Sequence, residues 1–324
     1  MKGELPLIEV SHLTKRYGRT CAVSDLSFTI EKGQIYGFLG PNGPGKSTTM
    51  NIMTGCLAAT AGQVKIGGYD IFEEADQAKK LIGYLPEQPP LYLDRTPREY
   101  LGFVARAKGI PAREVAEKIA HVMTVTQTLD VADRLIKNLS KGYKQRIGIA
   151  QAILGNPEVI ILDEPTVGLD PRQIMEIRDL IQELGKDHTV ILSSHILSEV
   201  QAVCQTILII SKGKLVACDS PENLERLFAG TTTVELTTEA SQEEIPGILS
   251  GLSCITALDI PPAGENRCHA RIDTDRDLDD SICRDIFFAF SKAGKAILQM
   301  TMAKASLEDI FIELTSAEKK EDAQ

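Results

Sequence analysis

The chain has 324 residues, 43% of them hydrophobic, and a formal net charge of −10, which is long enough for a full core and for about two domains. Its uninterrupted apolar runs fall far short of the roughly 20 residues that a membrane-spanning helix needs, and Val159-Ile160-Ile161-Leu162 and Ile207-Leu208-Ile209-Ile210 suit buried strands instead. The acidic excess lies late in the chain, with 26 basic and 27 acidic side chains in residues 1 to 230 against 9 and 18 in residues 231 to 324; this argues against nucleic acid as the main partner, because phosphate-backbone binding needs clustered Lys and Arg.

The seven cysteines have no Cys-x-x-Cys spacing and are odd in number, a pattern that disfavours both a disulfide framework and a zinc site. They read as small buried apolar residues in a reducing compartment. The opening Met1-Lys2-Gly3-Glu4-Leu5-Pro6 lacks the basic-then-apolar layout of a secretion signal, so a cytosolic protein is expected.

In chain order, residues 7 to 30 come first, with short alternating apolar runs on either side of a turn at Tyr17-Gly18-Arg19. They predict antiparallel strands. A longer alternation follows, in which β-branched runs at 34 to 39, 159 to 163 and 189 to 193 are separated by helical stretches, the pattern of an α/β domain with a mostly parallel sheet. Residues 96 to 155 read as largely helical, and Pro97 and Pro111 stand where two of those helices would begin, in a first turn that tolerates proline. After a helix at 221 to 228 and a break at Gly230, a second unit is expected: strand 232 to 237, helix 242 to 249, strands 253 to 260 and 268 to 273, helix 278 to 293, strand 296 to 302. This βαββαβ order predicts a ferredoxin-like sandwich. The expected division is 1 to 230, 231 to 316, and a charged, frayed tail from 317 to 324.

The chemistry begins at Gly40-Pro41-Asn42-Gly43-Pro44-Gly45-Lys46-Ser47-Thr48, which follows an apolar strand and precedes a helix expected from 47 to 54. That context makes it a phosphate-binding loop. The glycines let successive backbone N–H groups approach an anion, Lys46 neutralises β/γ charge, and Ser47 can ligate Mg2+. Pro44 takes one backbone donor away from the loop. Farther along, the apolar strand Val159-Ile160-Ile161-Leu162 ends in Asp163-Glu164, at the edge where an open α/β sheet presents its site. Asp163 would hold Mg2+ directly or through water, and Glu164 would polarise an attacking water. Alone, such a pair is equally a solvated strand cap; its company with the glycine loop favours the catalytic reading.

One further motif narrows the class. Leu139-Ser140-Lys141-Gly142-Tyr143-Lys144-Gln145-Arg146 resembles the signature of ABC ATPases, and Pro165-Thr166-Val167-Gly168-Leu169-Asp170 resembles their D-loop. The resemblance extends over residues 7 to 230, with seven motifs in the family's order. It implies a P-loop ABC ATPase domain with a parallel core, an antiparallel β subdomain and a helical subdomain at about 88 to 155, followed by the small α+β domain. It also implies that ATP is held by Gly40, Pro41, Asn42, Gly43, Gly45, Lys46, Ser47 and Thr48, with Tyr17 stacking on adenine. Ser140 and the N–H of Gly142 would bind the γ-phosphate of a nucleotide carried by a second subunit. Gln88 resembles the Q-loop residue that ligates Mg2+ and senses the permease, and His195 the switch histidine. Taken singly, these four are also an N-cap serine, an ordinary loop glutamine, a helix-start histidine and a turn tyrosine.

The family's usual Ala, Cys or Ser is replaced here by Pro44, and Lys141 and Tyr143 replace the glycine and glutamine of the commonest signature. This Leu-Ser-Lys-Gly-Tyr form, with Leu85-Pro86-Glu87 before Gln88 and the ending from Ser306 to Thr315, resembles the exporter branch whose permeases are separate chains, including gliding-motility and drug-resistance types. The implied protein is an ATP-hydrolysing subunit that works as a homodimer on the inner face of the cell membrane, held there through permease subunits. Its alternative is a soluble ABC ATPase acting on ribosomes or DNA, disfavoured by the single ATPase unit and the absence of sustained heptads. A small-molecule kinase would leave the signature helix and His195 unexplained. The C-terminal domain reads either as a dimer platform or as a small-ligand sensor.

Overall fold

The computed structural model describes residues 6 to 41, 43 to 228, 232 to 261, 267 to 274 and 280 to 304; the ending from 306 to 315 that resembles the exporter branch and the tail from 317 lie outside them. The chain divides into two compact units, Met1–Pro221 and Glu222–Gln324. Among the described residues no helix is long and apolar enough to cross a membrane.

The first unit opens with antiparallel β1 (Ile8–Tyr17) and β2 (Thr20–Ile30), Tyr17 facing Thr20 across the turn. Along β2, Val23, Leu26, Phe28 and Ile30 are buried while Asp25, Ser27 and Thr29 face water, as expected of a sheet with one solvated face. β3 (Ile35–Leu39) is buried along its whole length, and α1 (Pro44–Met53) follows it. This helix starts at Pro44, not at Ser47 where the sequence placed its beginning. Proline's fixed φ suits the first helical position, where the missing N–H has no partner within the helix.

β4 (Ala61–Ile66) and β5 (Tyr69–Asp70) complete an antiparallel sheet of order β2-β1-β4-β5. α2 (Ala75–Lys80) then leads to β6 (Ile82–Leu85). The helical stretch comprises α3 (Pro97–Ala107), α4 (Ala112–Val125) and α5 (Lys141–Ile153). α3 starts with a reciprocal cap in which Thr96 and Glu99 each bind the other's backbone N–H, and Pro97 stands in its first turn. Pro111 does not do the same, because it is the N-cap of α4, one residue outside the helix.

The remaining elements of this unit are β7 (Val159–Leu162), α6 (Pro171–Leu184), β8 (Thr189–Ser194), α7 (Leu197–Val203), β9 (Thr206–Ser211) and β10 (Lys214–Asp219). Six strands form the second sheet in the order β10-β9-β3-β8-β7-β6. β9 through β6 run parallel, and β10 joins antiparallel at the edge. β7 and β8 are buried throughout, which is why they read as unbroken apolar runs rather than alternations. Leu13, Val23, Leu26 and Ile30 of the antiparallel sheet share one core with Phe38, Ile161, Ile191 and Leu208 of the parallel one, and Phe28 meets Phe38 edge-on with ring centroids 5.3 Å apart.

The second unit starts with α8 (Pro221–Phe228) and continues in the order β11 (Thr232–Thr238), α9 (Glu244–Leu249), β12 (Ile255–Asp259), β13 (Cys268–Thr274), α10 (Asp280–Lys292), β14 (Ile297–Lys304). Its sheet is antiparallel with the order β12-β13-β11-β14, the split βαβ arrangement of a ferredoxin-like sandwich. Val234, Leu236, Ala270 and Ile272 on one sheet face meet Ile245 and Leu249 of α9 and Ile282, Ile286 and Phe290 of α10.

One polar contact pins the helical stretch. Lys108, just past α3, donates from Nζ to the carbonyls of Gln151, Ala152 and Leu154 at 3.0, 3.1 and 2.6 Å, at the end of α5 where helix carbonyls lack partners and the dipole favours a cation. Lys108→Met should therefore destabilise the first unit by about 1–3 kcal/mol through orphaned carbonyls, read as a lowered midpoint in urea unfolding at unchanged slope.

Candidate active site

The glycine loop is shaped by a close approach of two strands. A Cβ on Gly40 would lie 2.3 Å from the carbonyl oxygen of Ile210 in β9, so only glycine lets β3 end there. Beyond it Gly43 is exposed, Gly45 half-buried and Thr48 buried; Asn42 lies outside the described residues. Lys46 is 4% exposed and folds back over the loop, donating from Nζ to the carbonyls of Gly40 and Pro41 at 2.7 and 3.0 Å. The same ammonium is 3.8 Å from Glu164 Oε1. Burial pushes the Lys46 pKa down, while the charges of Glu164 and Asp163 push it back up.

The carboxylates reach that ammonium because β8 lies between β3 and β7, with all three parallel. Asp163 Oδ1 accepts from Ser47 Oγ at 3.2 Å and from Ser193 Oγ at 2.6 Å. Glu164 follows in the left-handed region, at φ +47°, and its N–H donates to the same Ser193 Oγ at 2.8 Å. Glu164 Oε2 then lies 2.9 Å from His195 Nδ1. Lys46, Ser47, Asp163, Glu164 and His195, expected separately, thus form one cluster at the carboxyl ends of three neighbouring strands. Ser193 belongs to it and was not among the expected residues. Its one signal in the sequence is that a hydroxyl pair, Ser193-Ser194, ends an otherwise apolar strand.

Ser140 and Gly142 are elsewhere. Ser140 is the exposed N-cap of α5, accepting from the Tyr143 N–H at 3.4 Å. Gly142 is buried, and a Cβ there would come within 2.8 Å of the Gln173 side chain. Ser140, Gly142, Gln127, Asp130, Arg146 and Gln173 line a polar cavity of about 320 Å³. Among the described residues, no hydrogen bond or ion pair joins Ser140 or Gly142 to Lys46, Asp163 or Glu164. Tyr17 ends β1 with 48% of its surface exposed, the Lys15 ammonium 5.3 Å from its ring centroid. Gln88 is exposed in the loop after β6; Leu85 of that strand faces Leu162, so the loop leaves the sheet at the edge from which Asp163 leaves.

A buried ammonium over a glycine loop, two carboxylates and a histidine at parallel strand ends form a site for anion chemistry. Residues 23–167 match the family described as ABC transporter. Over 310 residues the chain is 33% identical to the bacitracin transport ATP-binding protein BcrA of Bacillus licheniformis, covering 95% of this chain and 97% of that one. The chain belongs to the ABC transporter ATP-binding family.

It is also 30% identical to the Nod factor export ATP-binding protein I of Ralstonia nicotianae, over 98% of this chain and 97% of that protein. A solved structure titled "Structure of ATP binding subunit of ABC transporter" superimposes with a TM-score of 0.62 at 29% identity, over 68% of this chain and 93% of its own. This ABC protein is accordingly the ATP-binding and ATP-hydrolysing subunit of a transporter that works with a membrane permease; ribosome or DNA action finds no support among these relatives. The residues also suit the divalent ion that ABC chemistry implies, since Ser47 Oγ and Asp163 Oδ1 offer hard oxygen donors 3.2 Å apart. Among the described residues no group of three or more His, Cys, Asp or Glu is placed to hold a metal by itself.

Ser193, fully buried, holds both carboxylate positions through one hydroxyl. Ser193→Ala should cost about 1–3 kcal/mol of stability by orphaning the Glu164 N–H, and ATPase activity should fall more than the folded fraction measured by circular dichroism.

Proposed function

We propose that the chain acts as an exporter ATPase, two copies closing head to tail around two ATP molecules. The observation that carries this reading is the separation of two complementary half-sites. Lys46 and the acidic cluster sit together at the sheet edge, while among the described residues no hydrogen bond or ion pair joins Ser140 or Gly142 to them. A second copy turned end for end supplies the missing half to each. The N-terminus of α5 then meets the γ-phosphate held by the partner's glycine loop, as a helix start favours an anion. Relatives named for bacitracin transport, linearmycin resistance and Nod factor export support export as the direction.

In this reading Gly40, Pro41, Asn42, Gly43, Gly45, Lys46, Ser47 and Thr48 cradle the phosphates and Tyr17 stacks on adenine. Ser47, Asp163 and Gln88 hold Mg2+, which when bound neutralises developing phosphate charge. Glu164 takes the proton of the attacking water while oxygen bonds to the γ-phosphorus and the β–γ bridging bond breaks. His195 orients Glu164 and donates towards the γ-phosphate. Residues 1 to 230 carry this work and 231 to 316 form an accessory domain. The chain sits in the cytoplasm, peripheral to the membrane. Its permease-facing surface is the patch after Gln88, where Tyr92, Leu93 and Phe103 are 47%, 50% and 45% exposed and the Tyr92 and Phe103 rings lie 5.3 Å apart.

Glu164→Gln should lower ATP turnover by about 100-fold or more while ATP still binds, and ATP should then accumulate a dimer on a sizing column. Unchanged turnover with no ATP-dependent dimer would overturn the assignment of the base. Pro44→Ala, which returns one amide to the loop, should change ATP affinity by less than about tenfold in a titration; loss of ATP binding in that variant would count against the cradle as drawn.

A further inference from the structure

Glu199 is a buried carboxylate that the mechanism above does not use. It sits in the first turn of α7, 5% exposed. Its Oε2 accepts from Thr166 Oγ1 at 2.6 Å and from Ser194 Oγ at 3.0 Å, and Ser194 Oγ in turn accepts the N–H of Ile196 at 3.0 Å. Thr166 lies two residues after Glu164, and Ser194 lies one before His195. One buried oxygen therefore collects a hydroxyl from each of the two segments that carry the reacting pair.

We propose that Glu199 is a positioning residue that holds Glu164 against His195, acting through Thr166 and Ser194. The contacts close a ring: Glu164 to Thr166 along the chain, Thr166 to Glu199 and Glu199 to Ser194 by hydrogen bonds, Ser194 to His195 along the chain, and His195 back to Glu164 at 2.9 Å. Two physical points favour a role in positioning. Glu164 stands at φ +47°, a conformation that a glutamate holds only when its surroundings impose it. And a carboxylate buried on hydroxyl donors, with no ion pair among the described residues, is costly compared with an apolar side chain of similar volume, so packing alone does not account for a glutamate at this position.

The proposal rests on Glu164 and His195 being the reacting pair, so Glu164→Gln is assayed beside it in the full-length chain. Glu199→Ala should lower kcat by about 10- to 100-fold through misplacement of the pair, with KM for ATP changed by less than about twofold. Glu199→Gln, which keeps the shape and one acceptor, should recover part of that loss. In a His195→Ala background, Glu199→Ala should cost less than about twofold more, because the contact it supports is already gone. Equal losses in the two backgrounds, wild-type kcat in both Glu199 variants, or a loss that only follows the folded fraction would each overturn the proposal. If Glu199→Ala does not fold, Glu199→Gln carries the comparison alone, and failure of both to fold would make the role purely structural and overturn it too. Full turnover in Glu164→Gln would instead remove the reading on which the proposal stands, a result distinct from all of these.

Discussion

The rest of the site depends on the parallel pairing of β3, β8 and β7. Parallel neighbours end on the same edge of a sheet, so the residues just past each strand emerge side by side. Here those residues are the turn into Lys46 and Ser47, the pair Asp163 and Glu164, and Ser193 to His195. β8 in the middle sets its Ser193 against the second of these groups, where Ser193 Oγ donates to Asp163 and accepts the Glu164 N–H.

Burial decides how these groups behave. Lys46, Asp163 and Glu164 are 4%, 3% and 7% exposed, so each charge has lost most of its water and depends on the others. The ammonium has two carbonyls for partners and a carboxylate at 3.8 Å, a set that a phosphate can replace with stronger, charge-assisted contacts. The loop is thus electrostatically prepared for an anion, and the same buried setting strengthens each interaction made at reaction. Pro44 fits because α1 begins at it; the missing amide costs the helix nothing and leaves only the loop's count of donors reduced.

The second half of the chemistry is held by different physics. Ser140 and Gly142 depend on the start of α5 and on its packing against Gln173 of α6, whose own N-cap, Asp170, accepts from the Gln173 N–H at 2.9 Å. A side chain at Gly142 would meet the flexible end of Gln173, which would have to move aside. The stretch from Glu164 to Gln173 therefore links the acidic pair to the signature helix along the chain, with Thr166 anchored on Glu199 part of the way.

Much of this was legible in the sequence, because it is local. A glycine loop between a strand and a helix, carboxylates at the end of an apolar run and a serine before a helix are patterns over a few neighbouring residues, and chain periodicity reports them directly. The βαββαβ order of the second unit was legible for the same reason. Contacts between residues far apart in sequence were not. Ser193 with Asp163, Glu199 with Thr166, and Gly40 with the Ile210 carbonyl each join positions about 30 or more residues apart, and which strands neighbour one another sets those distances. The starts of α1 at Pro44 and of α4 just after Pro111 were decided by backbone geometry at a single proline. The sequence by itself determined which groups could bind phosphate and move a proton; strand order and burial decided which of them meet, because only packing brings distant segments within hydrogen-bonding reach.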